Sequence, residues 1–314
     1  MVKHQLLVIF PLRPKAMSQL SEHYILHRYD LADDKIAFLK EYGERCEAVV
    51  TNGHQTLNRE QLAYLPNLKI VCCSSAGYEY IDTEALKQRG IALTHSSAAL
   101  ADDVADMAVL LSLSAVRDLV RAHDYVASGA WGEQGMYPLM HTMKGKRVGL
   151  VGMGTIGQAI ATRLLAMKAD ISYIARSKKA LPYNYFSDLN CLASWADMLV
   201  VIVPGGEETR GLINRKILTS LGAKGLLVNV ARGTVVYEPD LIDCLVDGSL
   251  GGAALDVYWD EPTPNKELVS LPNVTLYPHH ASGTVETRDA MAQTVVDSLA
   301  DFFADKTLAY QVLL

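Results

Sequence analysis

Three glycines at fixed spacing, Gly152, Gly154 and Gly157, stand between the apolar run RVGLV and a helical stretch that continues QAIATRLLAM. A GxGxxG pattern alone marks many ordinary turns, but a strand before it and a helix after it narrow the reading sharply. Gly152 permits a tight turn, Gly154 lets backbone approach a diphosphate, and Gly157 lets the helix lie close on its strand. The amides that open the helix, from Thr155 and Ile156 onward, then face phosphate oxygens. The segment is therefore predicted to bind a dinucleotide within a doubly wound sheet.

The next strand, DISYIARSKK, discriminates between dinucleotides. A carboxylate about 20 residues past the first glycine would bind the ribose 2′-hydroxyl of NAD. This chain has Ala175 there, followed by Arg176, Ser177, Lys178 and Lys179. Such cations attract a 2′-phosphate, and Ser177 can donate a hydrogen bond to it. The expected cofactor is NADP(H).

The rest of the chain repeats the same alternation. LLVIF, ILHRY, EAVVTN, LKIVCCS and IALTHS read as strands with amphipathic stretches between them, the pattern of a parallel sheet covered on both faces. From Ala98 to about Ser128 a helical pattern runs without Gly or Pro and reads as one helix crossing between domains. Asp102, Asp103 and Asp106 lie near its start, where the helix dipole favours negative charge. A second α/β series begins at Arg147, and a helical tail from Val285 to Ala304 is expected to return to the first domain. The expected fold is α/β, with two doubly wound parallel-sheet domains and a cleft between them. Residues 1–97 plus 285–314 would form a flavodoxin-like substrate domain, and residues 98–284 a Rossmann dinucleotide-binding domain, with ligands at the strand C-termini.

Bulk properties exclude several alternatives. The 314 residues suit two domains, and a net charge of −6 without a basic tract gives no footprint for nucleic acid. An anionic substrate must then be held by local cations. No Cys/His spacing suggests a metal site, and no stretch approaches the roughly 20 apolar residues that span a bilayer. Five cysteines, with Cys72 and Cys73 adjacent in an apparent buried strand, together with an apolar N-terminal run too short for a signal segment, lead us to expect a reduced, cytoplasmic protein.

Three further segments place polar residues at the ends of apolar strands: LLVNVARGTVVYEPDL, GGAALDVYWDEP and LYPHHASGTVETRDAM. With the glycine motif, the VADMA of the long helix and SSAGYEYID, they resemble the D-isomer-specific 2-hydroxyacid dehydrogenases over nearly the whole chain. The ARSKK loop makes the chain similar, within that family, to NADPH-dependent glyoxylate/hydroxypyruvate reductases and plant-type hydroxyphenylpyruvate reductases. The resemblance implies that Arg232 binds the substrate, a task suited to a planar guanidinium that can pair with a carboxylate and polarise the neighbouring keto oxygen. It implies that His279, rather than His280, is the general acid, and that Glu261, rather than Asp260, is its carboxylate partner, favouring the imidazolium that proton donation needs. Asp256 would lie near the nicotinamide amide or orient Arg232. Ser75, Ala76 and Gly77 would meet the substrate, while Val203, Pro204, Thr209, Val230, Ala231 and Ser282 would line the cofactor site. The reaction implied is reduction of glyoxylate or hydroxypyruvate. A hydroxyphenylpyruvate or other 2-oxo acid reductase is one alternative, and a non-catalytic dinucleotide-sensing regulator of the same fold is another; the lack of a partner-binding extension speaks against the regulator. Family analogy further implies a homodimer, in which residues between Trp131 and Met136 reach the partner's substrate.

Overall fold

Runs rich in Val, Ile and Leu form two separate parallel sheets in the computed structural model, which describes residues 3–314. The chain divides into a unit of residues 1–100 with 282–314 and a unit of residues 101–281.

The first unit proceeds β1 (Gln5–Val8), α1 (Pro14–His23), β2 (Ile25–Arg28), α2 (Lys35–Tyr42), β3 (Ala48–Thr51), α3 (Arg59–Ala63), β4 (Ile70–Cys73), α4 (Thr83–Gln88) and β5 (Ala92–Thr94). Its strand order is β2-β1-β3-β4-β5, all parallel. Successive side chains leave opposite faces of a strand, so Leu6, Val50 and Ile70 enter one core while Leu7, Val49 and Val71 enter another. Because both faces are covered, the strands read as unbroken apolar runs. The C-terminal helix Val285–Phe303 contributes Ala292, Val295 and Leu299 to the first of these cores.

Helix α5 (Ser97–Arg117) begins in the first unit and runs into the second, which continues through α6 (Leu119–Ala127), α7 (Ala130–Gln134), β6 (Arg147–Val151), α8 (Thr155–Ala166), β7 (Asp170–Ile174), β8 (Asn184–Tyr185), α9 (Leu189–Trp195), β9 (Met198–Val201), α10 (Arg215–Leu221), β10 (Leu226–Asn229), α11 (Glu238–Val246), β11 (Gly252–Leu255), α12 (Lys266–Ser270) and β12 (Val274–Leu276). Its order, β12-β11-β10-β9-β6-β7-β8, reverses direction between β9 and β6, the switch point at which such sheets bind ligands. All its strand pairs are parallel.

The single crossing helix expected from the sequence is in fact broken. Asp118 adopts a left-handed conformation, φ 52°, and its carboxylate accepts hydrogen bonds from Arg121 at 2.8 Å and the Tyr137 hydroxyl at 2.6 Å. Asp is one of the few residues that takes this conformation readily, so the chain can end α5 and start α6 without glycine. The first turn of α5 holds no acidic residue, so Asp102 and Asp106 serve a partner instead of the dipole: both bond Arg163 of α8, at 2.9 and 2.5 Å. Among the described residues no helix is long and apolar enough to cross a membrane.

Candidate active site

The residues singled out in the second unit gather along one edge of its sheet. Gly152 follows β6, Arg176 lies just past β7, Val203 and Pro204 follow β9, Arg232 follows β10, Asp256 follows β11 and His279 follows β12. Neighbouring strands lie about 4.8 Å apart, so parallel pairing alone brings the ends of β10, β11 and β12 within reach of one another.

The glycine turn is built as the spacing requires. Gly152 has φ 111°, and a Cβ there would meet the Ile202 carbonyl oxygen at 2.4 Å. A Cβ on Gly157 would lie 2.5 Å from the Gly152 carbonyl oxygen, so α8 seats directly on the turn. Gly154 differs: its Cβ would meet open space, which leaves room for a ligand to approach the backbone. It is also the N-cap of α8 and caps no amide with a side chain, so the amides at the helix start are available to an anion. Arg176 to Lys179 are exposed, and no carboxylate stands at Ala175. These residues fit a dinucleotide carrying a 2′-phosphate. Thr209 directs its hydroxyl to Pro204 O at 2.7 Å, so it shapes the loop after β9.

His279 and Glu261, 18 residues apart in sequence, meet directly, with His279 Nδ1 2.5 Å from Glu261 Oε2. The other carboxylate oxygen, Oε1, accepts the Tyr258 N–H at 2.9 Å, which fixes the carboxylate's orientation. His279 itself has φ 47°, an unusual conformation for a residue with a Cβ. The surroundings hold it there. Its N–H donates to Asp256 O at 2.7 Å, and the Asp256 carboxylate accepts the His280 and Ala281 amides at 2.8 and 3.2 Å. Burial pushes the Asp256 carboxyl above the usual carboxylate range, opposed by those amide bonds. Asp256 thus anchors the histidine loop, a role the sequence did not suggest. His280 contributes its backbone to that anchor, and Asp260 is an exposed neighbour of Glu261.

Arg232 sits half-buried after β10 in extended backbone, with Nη1 donating to Ala231 O at 2.7 Å. Sequence reasoning overlooked the residue behind it. Asn229, buried, accepts the Ala231 N–H at 3.0 Å and donates to Arg232 O at 3.0 Å. Its signal was a lone polar residue ending the strand LLVN. Gly233 then packs so tightly that a Cβ would lie 1.9 Å from Tyr258 O, pressing the Arg232 turn onto the segment that carries Asp256 and Glu261. The Tyr258 hydroxyl donates to Tyr277 O at 2.8 Å, tying that segment to the histidine strand; burial pushes this phenol up to about 12. Val230 and Ala231 are buried beside the arginine.

Within the first unit, Ser75, Ala76 and Gly77 follow β4. A Cβ on Gly53, in the loop after β3, would meet the Gly77 carbonyl oxygen at 2.4 Å, and Ser96 N–H donates to Ser75 O at 2.9 Å. His95 supports the same loop through a hydrogen bond to the Ala76 backbone, and burial lowers its affinity for a proton. Ser282, at the boundary between the units, lies in the turn after Ala281.

The chain is similar to known proteins over most or nearly all of its length. Residues 109–281 match the model of the D-isomer specific 2-hydroxyacid dehydrogenase, NAD binding domain. Glyoxylate/hydroxypyruvate reductase A of Arabidopsis thaliana is 40% identical over 308 residues, covering 98% of each chain. The 2-ketogluconate reductase of Gluconobacter oxydans is 37% identical over 312 residues, 99% of each. Among solved structures, the NADPH-dependent glyoxylate/hydroxypyruvate reductase of Sinorhizobium meliloti, in complex with NADP and malonate, superposes with a TM-score of 0.89 at 34% identity, covering 99% of this chain and 97% of that one. The chain belongs to the D-isomer-specific 2-hydroxyacid dehydrogenase family.

Proposed function

We propose that this chain is an NADPH-dependent reductase that converts a small 2-oxo acid, first of all glyoxylate or hydroxypyruvate, to the 2-hydroxy acid, the D-isomer where that carbon is a stereocentre. The observation that carries the reading is the contact between His279 and Glu261 at 2.5 Å, on the same sheet edge as the glycine turn and Arg232.

The bound dinucleotide supplies the hydride. Gly152, Gly154, Thr155, Ile156 and Gly157 hold its diphosphate, and Arg176, Ser177 and Lys178 its 2′-phosphate. Val203, Pro204, Thr209, Val230 and Ala231 line its site, so the second unit is the dinucleotide domain and the first the substrate domain. Arg232 pairs with the substrate carboxylate and draws electron density toward the keto oxygen. Ser75, Ala76 and Gly77, after β4, are the first unit's substrate-binding residues. His279 holds Glu261 through Nδ1, so Nε2 is the atom that hands a proton to the developing alkoxide. Glu261 stabilises the charged ring, and Asp256 keeps the loop in register.

A second reading concerns the substrate alone. Similarity over 99% of the chain to a 2-ketogluconate reductase supports including sugar-derived 2-oxo acids. The deciding experiment offers glyoxylate, hydroxypyruvate, 4-hydroxyphenylpyruvate and 2-ketogluconate to the enzyme, each with NADPH and NADH. Turnover of at least one with NADPH is expected, and Arg176→Asp should lower the NADPH/NADH ratio of kcat/KM by roughly 10- to 100-fold, the range of a hydrogen bond to a charged group. Silence with every substrate would overturn the reading and favour a dinucleotide-sensing regulator.

The assembly proposed is a homodimer. Helices α6 and α7 bury no side chain, and Leu119, Val120, Val126 and Trp131 are all more than half exposed. A second copy would cover these apolar groups. Sedimentation equilibrium is expected to give the mass of two chains, and a monomer would refute the assignment. A cytoplasmic location is supported by the cysteines, which form no disulfide among the described residues.

A further inference from the structure

Five consecutive exposed residues, Arg176 to Ala180, follow β7, and a run of this kind would ordinarily be mobile. Two tyrosines hold its ends. Tyr173 is fully buried, yet its hydroxyl reaches the loop, accepting the Lys179 N–H at 2.8 Å and donating to Lys179 O at 3.2 Å. Tyr185, its register neighbour on β8, donates its hydroxyl to Ala175 O at 3.4 Å. The rings lie 5.4 Å apart and tilted by 58°. One residue opens the basic run and the other closes it, so both ends are clasped. The Gly152 N–H donates to Ile174 O at 2.9 Å, which ties the start of the loop to the phosphate turn.

We propose that Tyr173 and Tyr185 form a clamp that holds the basic loop in the shape that receives a 2′-phosphate, making them positioning residues for the choice of NADPH over NADH. The proposal rests on the NADPH reading above. A buried phenol needs a partner for its hydroxyl, and here both bonds go to the backbone of one loop residue, Lys179. A loop already shaped loses less conformational freedom when it grips the phosphate, so affinity gains without any further charge. NADH has no 2′-phosphate and should be indifferent to the clamp.

The test measures dissociation constants of NADP⁺ and NAD⁺ for the full chain, its Tyr173→Phe and Arg176→Asp variants, and the rate of tryptic cleavage after Arg176, Lys178 and Lys179 without cofactor. For Tyr173→Phe, NADP⁺ should weaken by roughly 5- to 20-fold as the competent loop fraction falls, with NAD⁺ within about twofold. Cleavage in the loop should quicken. Equal weakening of both nucleotides would overturn the clamp, as would unchanged NADP⁺ binding. Wild-type protein that binds the two nucleotides equally, or an Arg176→Asp variant with an unaltered ratio, would remove the NADPH reading itself. An Arg176→Asp variant that shifts the ratio while Tyr173→Phe leaves it alone would remove only the clamp. Tyr185→Phe breaks the longer bond and should weaken NADP⁺ by about two- to threefold, deciding the matter if Tyr173→Phe does not fold.

Discussion

Replacing His279 by alanine is expected to lower kcat with glyoxylate by roughly 10²- to 10⁴-fold, the range of a positioned general acid, with NADPH affinity held within about twofold. The carbonyl carbon can accept a hydride only as fast as the oxygen sheds its growing negative charge. Water can deliver that proton, but it has no fixed position and no carboxylate behind it. In the native chain Glu261 lies 2.5 Å from Nδ1 and is itself pinned by the Tyr258 amide, so the imidazole is oriented before substrate arrives. Glu261→Gln should retain the orientation in part, lose the charge, and fall between wild type and His279→Ala. The backbone of residue 279 is held by bonds from Asp256 that involve no imidazole, so the alanine variant should melt near the wild-type temperature. A His279→Ala enzyme that turns over glyoxylate at nearly the native rate would show that another group donates the proton.

Much of this arrangement can be seen in the amino-acid sequence, for identifiable reasons. Parallel strands covered on both faces must be continuously apolar, so β1, β3, β4, β6, β9 and β10 announce themselves. The Gly152 turn is equally visible, because no other residue takes φ 111° against the Ile202 carbonyl. Nothing local pairs His279 with Glu261 across 18 residues, and only the resemblance to a family suggested it. The break at Asp118 was hidden because one of the two partners of its carboxylate, the Tyr137 hydroxyl, lies 19 residues away. Gly233 and Tyr258 were invisible as site residues for the same reason: each matters through a backbone group of a distant strand or turn. Asn229 acts on the two peptide groups just after it, and its one signal was a polar residue ending an apolar strand. Residues that touch ligand carry distinctive chemistry, whereas residues that position them look like ordinary packing until the partner is located.

Arg232→Ala is expected to lower kcat/KM for glyoxylate by roughly 10²- to 10⁴-fold, since two charge-assisted hydrogen bonds of about 1.5–3 kcal/mol each would vanish. The chain as a whole is anionic, at net charge −6, so nothing but a local cation can concentrate a 2-oxo acid at the reacting carbon. Arg232 is suited to this because its backbone is fixed on both sides. Asn229 holds the peptide groups of Ala231 and Arg232, and Gly233 presses the turn against Tyr258. Nη1 is directed to Ala231 O, which sets the plane of the guanidinium. Arg232→Lys keeps the charge but loses that plane and the paired donors, so it should recover only a small part of the activity. The loss in Arg232→Ala should appear in both KM and kcat, because in the proposed mechanism the same group binds the carboxylate and polarises the keto oxygen. Guanidinium chloride added at millimolar concentration should restore some turnover to the alanine variant and none to the lysine variant. NADP⁺ affinity is the control, and it should not move. A kcat/KM within about threefold of wild type would transfer the carboxylate to another cation, and a parallel fall in NADP⁺ affinity would place Arg232 in the cofactor site.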